Sequence, residues 1–173
     1  MIVIIQLLII VILASITWQD FKYRAVYWIL LPLLMLLFIL KGVFNNTFSI
    51  YDSLINLFMI ALQIIVLHIY IYMKSGAWLL HKYYLGWGDV LFFIALTFLF
   101  SPITFMAFQL ISLISILLWF ILFNKFLTRQ KLIPLAGCQS FILILLITYE
   151  SVSGTTNLTI DGFILDNLKM YAQ

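Results

Sequence analysis

From Val90 to Asn124 the chain carries no charged residue. In lipid a stretch like this must pair its own backbone N–H and C=O groups, which leaves helices or a closed barrel. Its apolar residues are continuous rather than alternating with period two, so helices are expected. Comparable runs fill most of the remaining sequence. Of the whole chain, 66% is hydrophobic and 9% charged, with a mean hydropathy of +1.22. A soluble domain carries about a quarter charged residues. The composition therefore describes an all-α, polytopic membrane protein.

A spanning helix takes about 20 mainly apolar residues. Helices are expected over 2–18, 26–43, 50–73, 88–101, 103–123 and 132–149. Ser101-Pro102 marks a tight turn or a kink; a kink would merge 88–123 into one bent element. The first run lacks a basic leader and a small-residue cleavage site, so it reads as an uncleaved span. With six spans, Lys22, Arg24, Lys74, Lys82, Lys125, Arg129 and Lys131 share one side, and Lys41 and Lys169 the other. The positive-inside rule makes the first group cytoplasmic and both termini extracytoplasmic. Five spans would spoil that asymmetry. The expected organisation is a six-helix transmembrane domain over 1–149 in the cell membrane. A polar extracytoplasmic tail follows over 150–173, with Phe163, Ile164, Leu165 and Leu168 able to rest on the bilayer surface.

Placed on this topology, Asp52, Glu150, Asp161 and Asp166 fall outside, in or near polar loops where solvation explains them. Asp20, closing the first helix, and Asp89, opening the fourth, face inside at the boundary of hydrocarbon and headgroups. Ionisable residues there are costly and are functional candidates. Asp89 follows Gly88 and can serve as a helix cap. A carboxylate near a helix C-terminus gains nothing from the dipole, so capping does not explain Asp20; an ion pair with Lys22 or Arg24 is its structural alternative. Two carboxylates close together in a poorly solvated site cannot both ionise easily, so they titrate as a unit and one keeps its proton. Such a pair can polarise a carbonyl and activate water, the chemistry of amide hydrolysis.

Three stretches carry a resemblance. Asp20-Phe21-Lys22-Tyr23-Arg24 puts basic residues after an acid, Gly86-Trp87-Gly88-Asp89 is a Gly-x-Gly-Asp sequence, and Ile133-Pro134-Leu135-Ala136-Gly137 enters the last helix. In order and spacing they resemble the type IV prepilin and preflagellin peptidases, membrane aspartyl proteases, over roughly residues 1–148. The resemblance implies catalytic roles for Asp20 and Asp89 and motif roles for Gly86, Gly88, Pro134 and Gly137. It also implies an aspartic endopeptidase that removes a short leader from pilin-like precursors at the cytoplasmic face, in protein secretion or pilus assembly. Physically, Gly86 and Gly88 would let backbone approach a substrate without a Cβ in the way. Leu91 stands where many relatives have Lys, and Val26-Tyr27-Trp28 replaces a usual Ile-Pro-Asn. The Cys-rich methylation domain of larger bacterial members has no counterpart, and methyl transfer is not expected.

No His, Cys, Asp or Glu cluster has metal-ligand spacing, so no metal or cofactor is expected. Cys138 reads as a small buried hydrophobe, and His68 as hydrogen-bonded to a neighbouring helix. His81 lies in a loop with Lys82, where solvent or headgroups would meet it. Lys22, Arg24, Lys74 and Lys82 suit anionic lipid, and no nucleic-acid partner is expected. Trp18, Trp28, Trp78, Tyr83, Tyr84 and Trp87 suit an interfacial aromatic belt. The alternative to an enzyme is a non-catalytic membrane scaffold or secretion-apparatus subunit of the same fold. A transporter would place its acids near the bilayer midplane rather than at its edge.

Overall fold

The computed structural model describes residues 2–75, 86–123, 134–153 and Asp161. Six helices make up this part: α1 (Ile2–Tyr23), α2 (Leu30–Phe44), α3 (Ile50–Ser75), α4 (Trp87–Leu96), α5 (Pro102–Phe123) and α6 (Leu135–Ser153). No strand occurs among the described residues, and the protein is an all-α membrane protein. Four helices, α1, α3, α5 and α6, are long and apolar enough to cross a bilayer. The other two are shorter than the sequence suggests. With 15 and 10 residues, α2 and α4 measure about 22 and 15 Å at the usual rise per residue, less than a bilayer core.

The differences in helix ends have local causes. Instead of stopping at residue 18, α1 runs to Tyr23 and closes at Arg24, whose φ of 55° is left-handed. The Arg24 N–H donates to the Asp20 carbonyl at 3.0 Å, the single-bond left-handed cap of a helix C-terminus. Next, the Tyr27 N–H donates to Gln19 Oε1 at 3.0 Å, which keeps 25–29 out of the helix and delays α2 to Leu30. In α4, the ladder tightens after Leu96 as Thr97, Phe98 and Leu99 donate three residues back. Buried Asn56 on α3 holds this break, donating to the carbonyls of Thr97 (3.3 Å) and Phe100 (2.6 Å). A new helix then starts with the Ser101 carbonyl as its first acceptor and Pro102 at a position where its missing N–H costs nothing. The Ser101-Pro102 signal is thus a break between two helices.

The buried residues form stripes at helical spacing. On α1 they are Ile5, Ile9, Ile12, Leu13, Ile16 and Asp20; on α2, Leu31, Leu34, Leu37, Phe38 and Lys41. The stripe on α6 passes through Ala136, Ser140, Leu143, Ile147 and Glu150. These faces meet: α1 packs chiefly on α6 and α2, with α2 also against α4. Successive helices alternate in direction, so the end of α1 and the starts of α2, α4 and α6 share one end of the bundle. At the far end, Lys41 of α2 bonds Glu150 of α6 at 2.9 Å, with both side chains buried. Glu150 is therefore not a solvated loop acid as the sequence suggests; α6 continues to Ser153 and carries it inside. Asp161 likewise accepts from the Thr104 N–H and hydroxyl, both at 3.0 Å, capping the first turn of α5.

Candidate functional site

Asp20 extends the buried stripe of α1 by one more turn and is itself 7% exposed. Asp89, at the third position of α4, precedes that helix's buried residues Phe92 and Leu96 at helical spacing. Both side chains reach the start of α6. The Gly137 N–H donates to Asp20 Oδ2 at 2.6 Å, and the Ala136 N–H donates to Asp89 Oδ1 at 3.1 Å. These amides belong to the first turn, where N–H groups have no partner inside their own helix and the dipole is positive. With consecutive residues about 3.8 Å apart, the bonded oxygens of the two carboxylates lie no more than about 10 Å from each other.

Each motif residue has a definite place. The Pro134 carbonyl accepts the first helical bond of α6, from Cys138 at 3.0 Å, so it fixes where the donors begin. Gly86 is the N-cap of α4, and its backbone N–H bonds the Asp89 carboxylate, half of a capping box. The capping role for Asp89 is real, and the contact with α6 is added to it. A Cβ on Gly86 would stand 3.3 Å from Asp89 Oδ2, whereas one on Gly88 would meet Val26 at an ordinary 3.9 Å. The closest approach is at Gly137, where a Cβ would lie 3.0 Å from both Cβ and Oδ2 of Asp20 and 3.2 Å from Phe21. The glycine most constrained at this site is therefore Gly137, which the sequence marks only by resemblance. Ala136 was not singled out at all, because a backbone donor leaves no side-chain signal.

The level of the acids along the bundle follows from one contact between α5 and α6. Gln139, three residues after Ala136, bonds Ser112 on the antiparallel α5 at 3.2 Å. Ala136 therefore lies near the level of Ser115. Eight further residues take α5 to Phe123, about 12 Å at the helical rise. α5 thus extends beyond the level at which α1 ends and α4 and α6 begin.

Two apolar clefts flank the pair. The larger, about 420 Å³, lies between α1, α5 and α6 and is lined by Phe21, Ile116, Trp119, Cys138 and Phe141 among others. Cys138 is thus half-buried on a cleft wall and forms no disulfide, rather than being a fully buried core residue. The smaller, about 180 Å³, lies between α3, α4, α5 and the start of α6.

Trp18, Trp28 and Trp87 are exposed at the site end, as an aromatic belt requires, and Lys22 lies over the rings of Trp18 (5.7 Å) and Tyr23 (5.0 Å). His68 is half-buried on α3. Trp78, His81, Lys82, Tyr83, Tyr84, Lys125, Arg129, Lys131, Asp166 and Lys169 lie outside the described residues, so the charge asymmetry rests on sequence alone. No group of three metal-binding side chains occurs among the described residues. No protein-family model, curated protein or solved structure matches the chain.

Proposed function

We propose that the protein is a membrane aspartic endopeptidase that removes leaders from pilin-like precursors, with Asp20 and Asp89 as its catalytic pair. The observation that carries this reading is the convergence of two acids from different helices on consecutive amides of a third. In the proposed reaction the ionised carboxyl takes a proton from water, whose oxygen adds to the scissile carbonyl carbon. The protonated carboxyl donates to the carbonyl oxygen; the C–N bond then breaks as the nitrogen takes up a proton, leaving a carboxylate and an amine. The large apolar cleft beside Asp20 offers a place for the precursor's apolar segment.

A non-catalytic scaffold is the second reading, and one observation favours it: each carboxylate already has the backbone donor that a structural cap needs. One experiment separates the peptidase from a scaffold or a transporter. The protein is co-expressed with pilin-like precursors from the same cell, as wild type, Asp20→Asn and Asp89→Asn. The peptidase reading expects leader removal by wild type only, with all three proteins in the membrane. A scaffold or a transporter leaves every precursor intact.

A further inference from the structure

Of the four helices able to span, α3 has the least cover. In its most apolar stretch 17% of residues are buried, against 28% or 33% in α1, α5 and α6, and it packs chiefly on α4 and α5. Its buried stripe runs through Ser53, Asn56 and Ile60. Beside that stripe, Met59, Gln63, Val66, Tyr70 and Met73 recur at steps of four and three residues, the heptad spacing of a helix-pairing seam. Val66, Tyr70 and Met73 are exposed. Gln63 is exposed as well, and its amide makes no hydrogen bond among the described residues. With 26 residues, α3 is about 39 Å long, and Gln63 stands about 20 Å from one end and about 18 Å from the other. Wherever a hydrocarbon core of about 30 Å falls along such a helix, Gln63 lies at least about 10 Å inside it. Its side chain is too short to reach the headgroups. Lipid tails offer the amide nothing to bond, and an amide left unpaired in hydrocarbon is costly. A second helix with a polar group at the same depth is needed. A second copy of this chain supplies one. Two copies inserted alike hold α3 parallel, so each seam residue faces its own equivalent. An amide is both donor and acceptor, so each Gln63 can give one hydrogen bond to the other and take one back.

We propose that this face of α3 is a dimer seam, closed in the bilayer by a second copy with the two Gln63 amides bonded across the two-fold axis. Met59 and Val66, one turn to either side, flank the amides with apolar contact. The amide pair sets the register, as a lone polar residue does in a coiled-coil seam. The seam involves neither acid, and α3 contributes nothing to the wall of the large cleft, so the dimer does not depend on the peptidase reading.

The test uses the whole protein in lipid vesicles, with Cys138, the chain's one cysteine, changed to Ala. A single cysteine is introduced at Val66, on the seam, or at Ile65, exposed on another face of α3, and an oxidant is added. A disulfide forms only between closely facing β-carbons, so linked dimer should appear at least about tenfold faster from Val66→Cys than from Ile65→Cys. Energy transfer between fluorescently labelled copies then follows pairing as lipid dilutes the protein. Gln63→Leu should need about tenfold more protein per lipid to pair, the effect of losing an interhelical hydrogen bond. Gln63→Asn, which keeps the amide, should stay close to wild type, and thermal unfolding reports whether each variant is folded. A monomer at every dilution, pairing indifferent to Gln63→Leu, or faster linking from Ile65→Cys overturns the seam. So does a monomer whose Val66→Cys links instead to a cysteine in a co-expressed precursor, which would make this face a substrate groove.

Discussion

The two ends of the bundle treat buried charge in opposite ways. At the far end, Lys41 and Glu150 cancel one another at 2.9 Å, and Asp161 closes the first turn of α5 through Thr104. At the site end, two acids of like charge meet neutral backbone donors of one helix. Similar helical stripes bring charge inward at both ends, because Lys41 and Asp20 each occupy the next buried position after an apolar series. The difference lies in what receives the charge. An ion pair locks two helices together and leaves no reactive group. Two carboxylates on amide dipoles are held in place, yet keep oxygens for chemistry. The far end is a clamp, and the site end holds two carboxylates side by side on one helix.

The largest expected effect breaks the clamp. Glu150→Gln leaves the buried Lys41 ammonium without its counter-charge, and removal of one partner of such a pair costs about 3–5 kcal/mol. Thermal unfolding in detergent should show this loss. The double change Lys41→Met with Glu150→Leu should recover most of it, since apolar replacement of both partners is often neutral. Any loss of cleavage should follow the folded fraction alone.

Gly137→Ala tests the site end next. Its Cβ would fall 3.0 Å from Asp20, so either Asp20 or the first turn of α6 must shift. Overpacking of this kind costs about 1–3 kcal/mol. Unlike Glu150→Gln, it should lower kcat in protein that remains folded. Gly137→Ala with unchanged kcat would mean that the Asp20–Gly137 contact does not position the acid.

Smaller still is Asp161→Ala, which removes a cap on α5 and should cost about 1 kcal/mol of stability without changing kcat. The least effect is expected from Gly88→Ala, because a Cβ there makes only ordinary contact with Val26 and a helical Gly→Ala change is worth about 1 kcal/mol in stability's favour. If Gly88→Ala stops cleavage in stable protein, substrate backbone approaches that face, as the Gly-x-Gly-Asp resemblance implies.

How much of this was legible in the sequence differs between the two ends as well. Long apolar runs announce helices because lipid leaves the backbone little choice, and all six are present. Their ends are another matter. Gln19, Asp20 and Lys22 look like a loop to hydropathy, yet they are the last turn of α1, closed by a left-handed Arg24. Nothing apolar in 88–101 signals the break after Leu96, since Asn56 imposes it from another helix. Helices that are apolar all round also hide which face turns inward. That is why Glu150 read as solvated, when its partner Lys41 lies 109 residues away. Asp20 and Asp89 were visible as acids where acids are scarce. Their common anchor was not, because Ala136 and Gly137 contribute only backbone.

The central claim is that Asp20 and Asp89 act as one unit, and a double-mutant comparison tests it most directly. Asn retains a side-chain acceptor for the Gly137 and Ala136 amides while losing the acid, so the variants should stay folded. With purified protein and a synthetic precursor, Asp20→Asn, Asp89→Asn and the double variant should each lose about 10²–10⁴-fold in kcat, all to the same residual level. Losses that multiply in the double variant, or a single variant that cleaves at the wild-type rate, would contradict a shared catalytic pair.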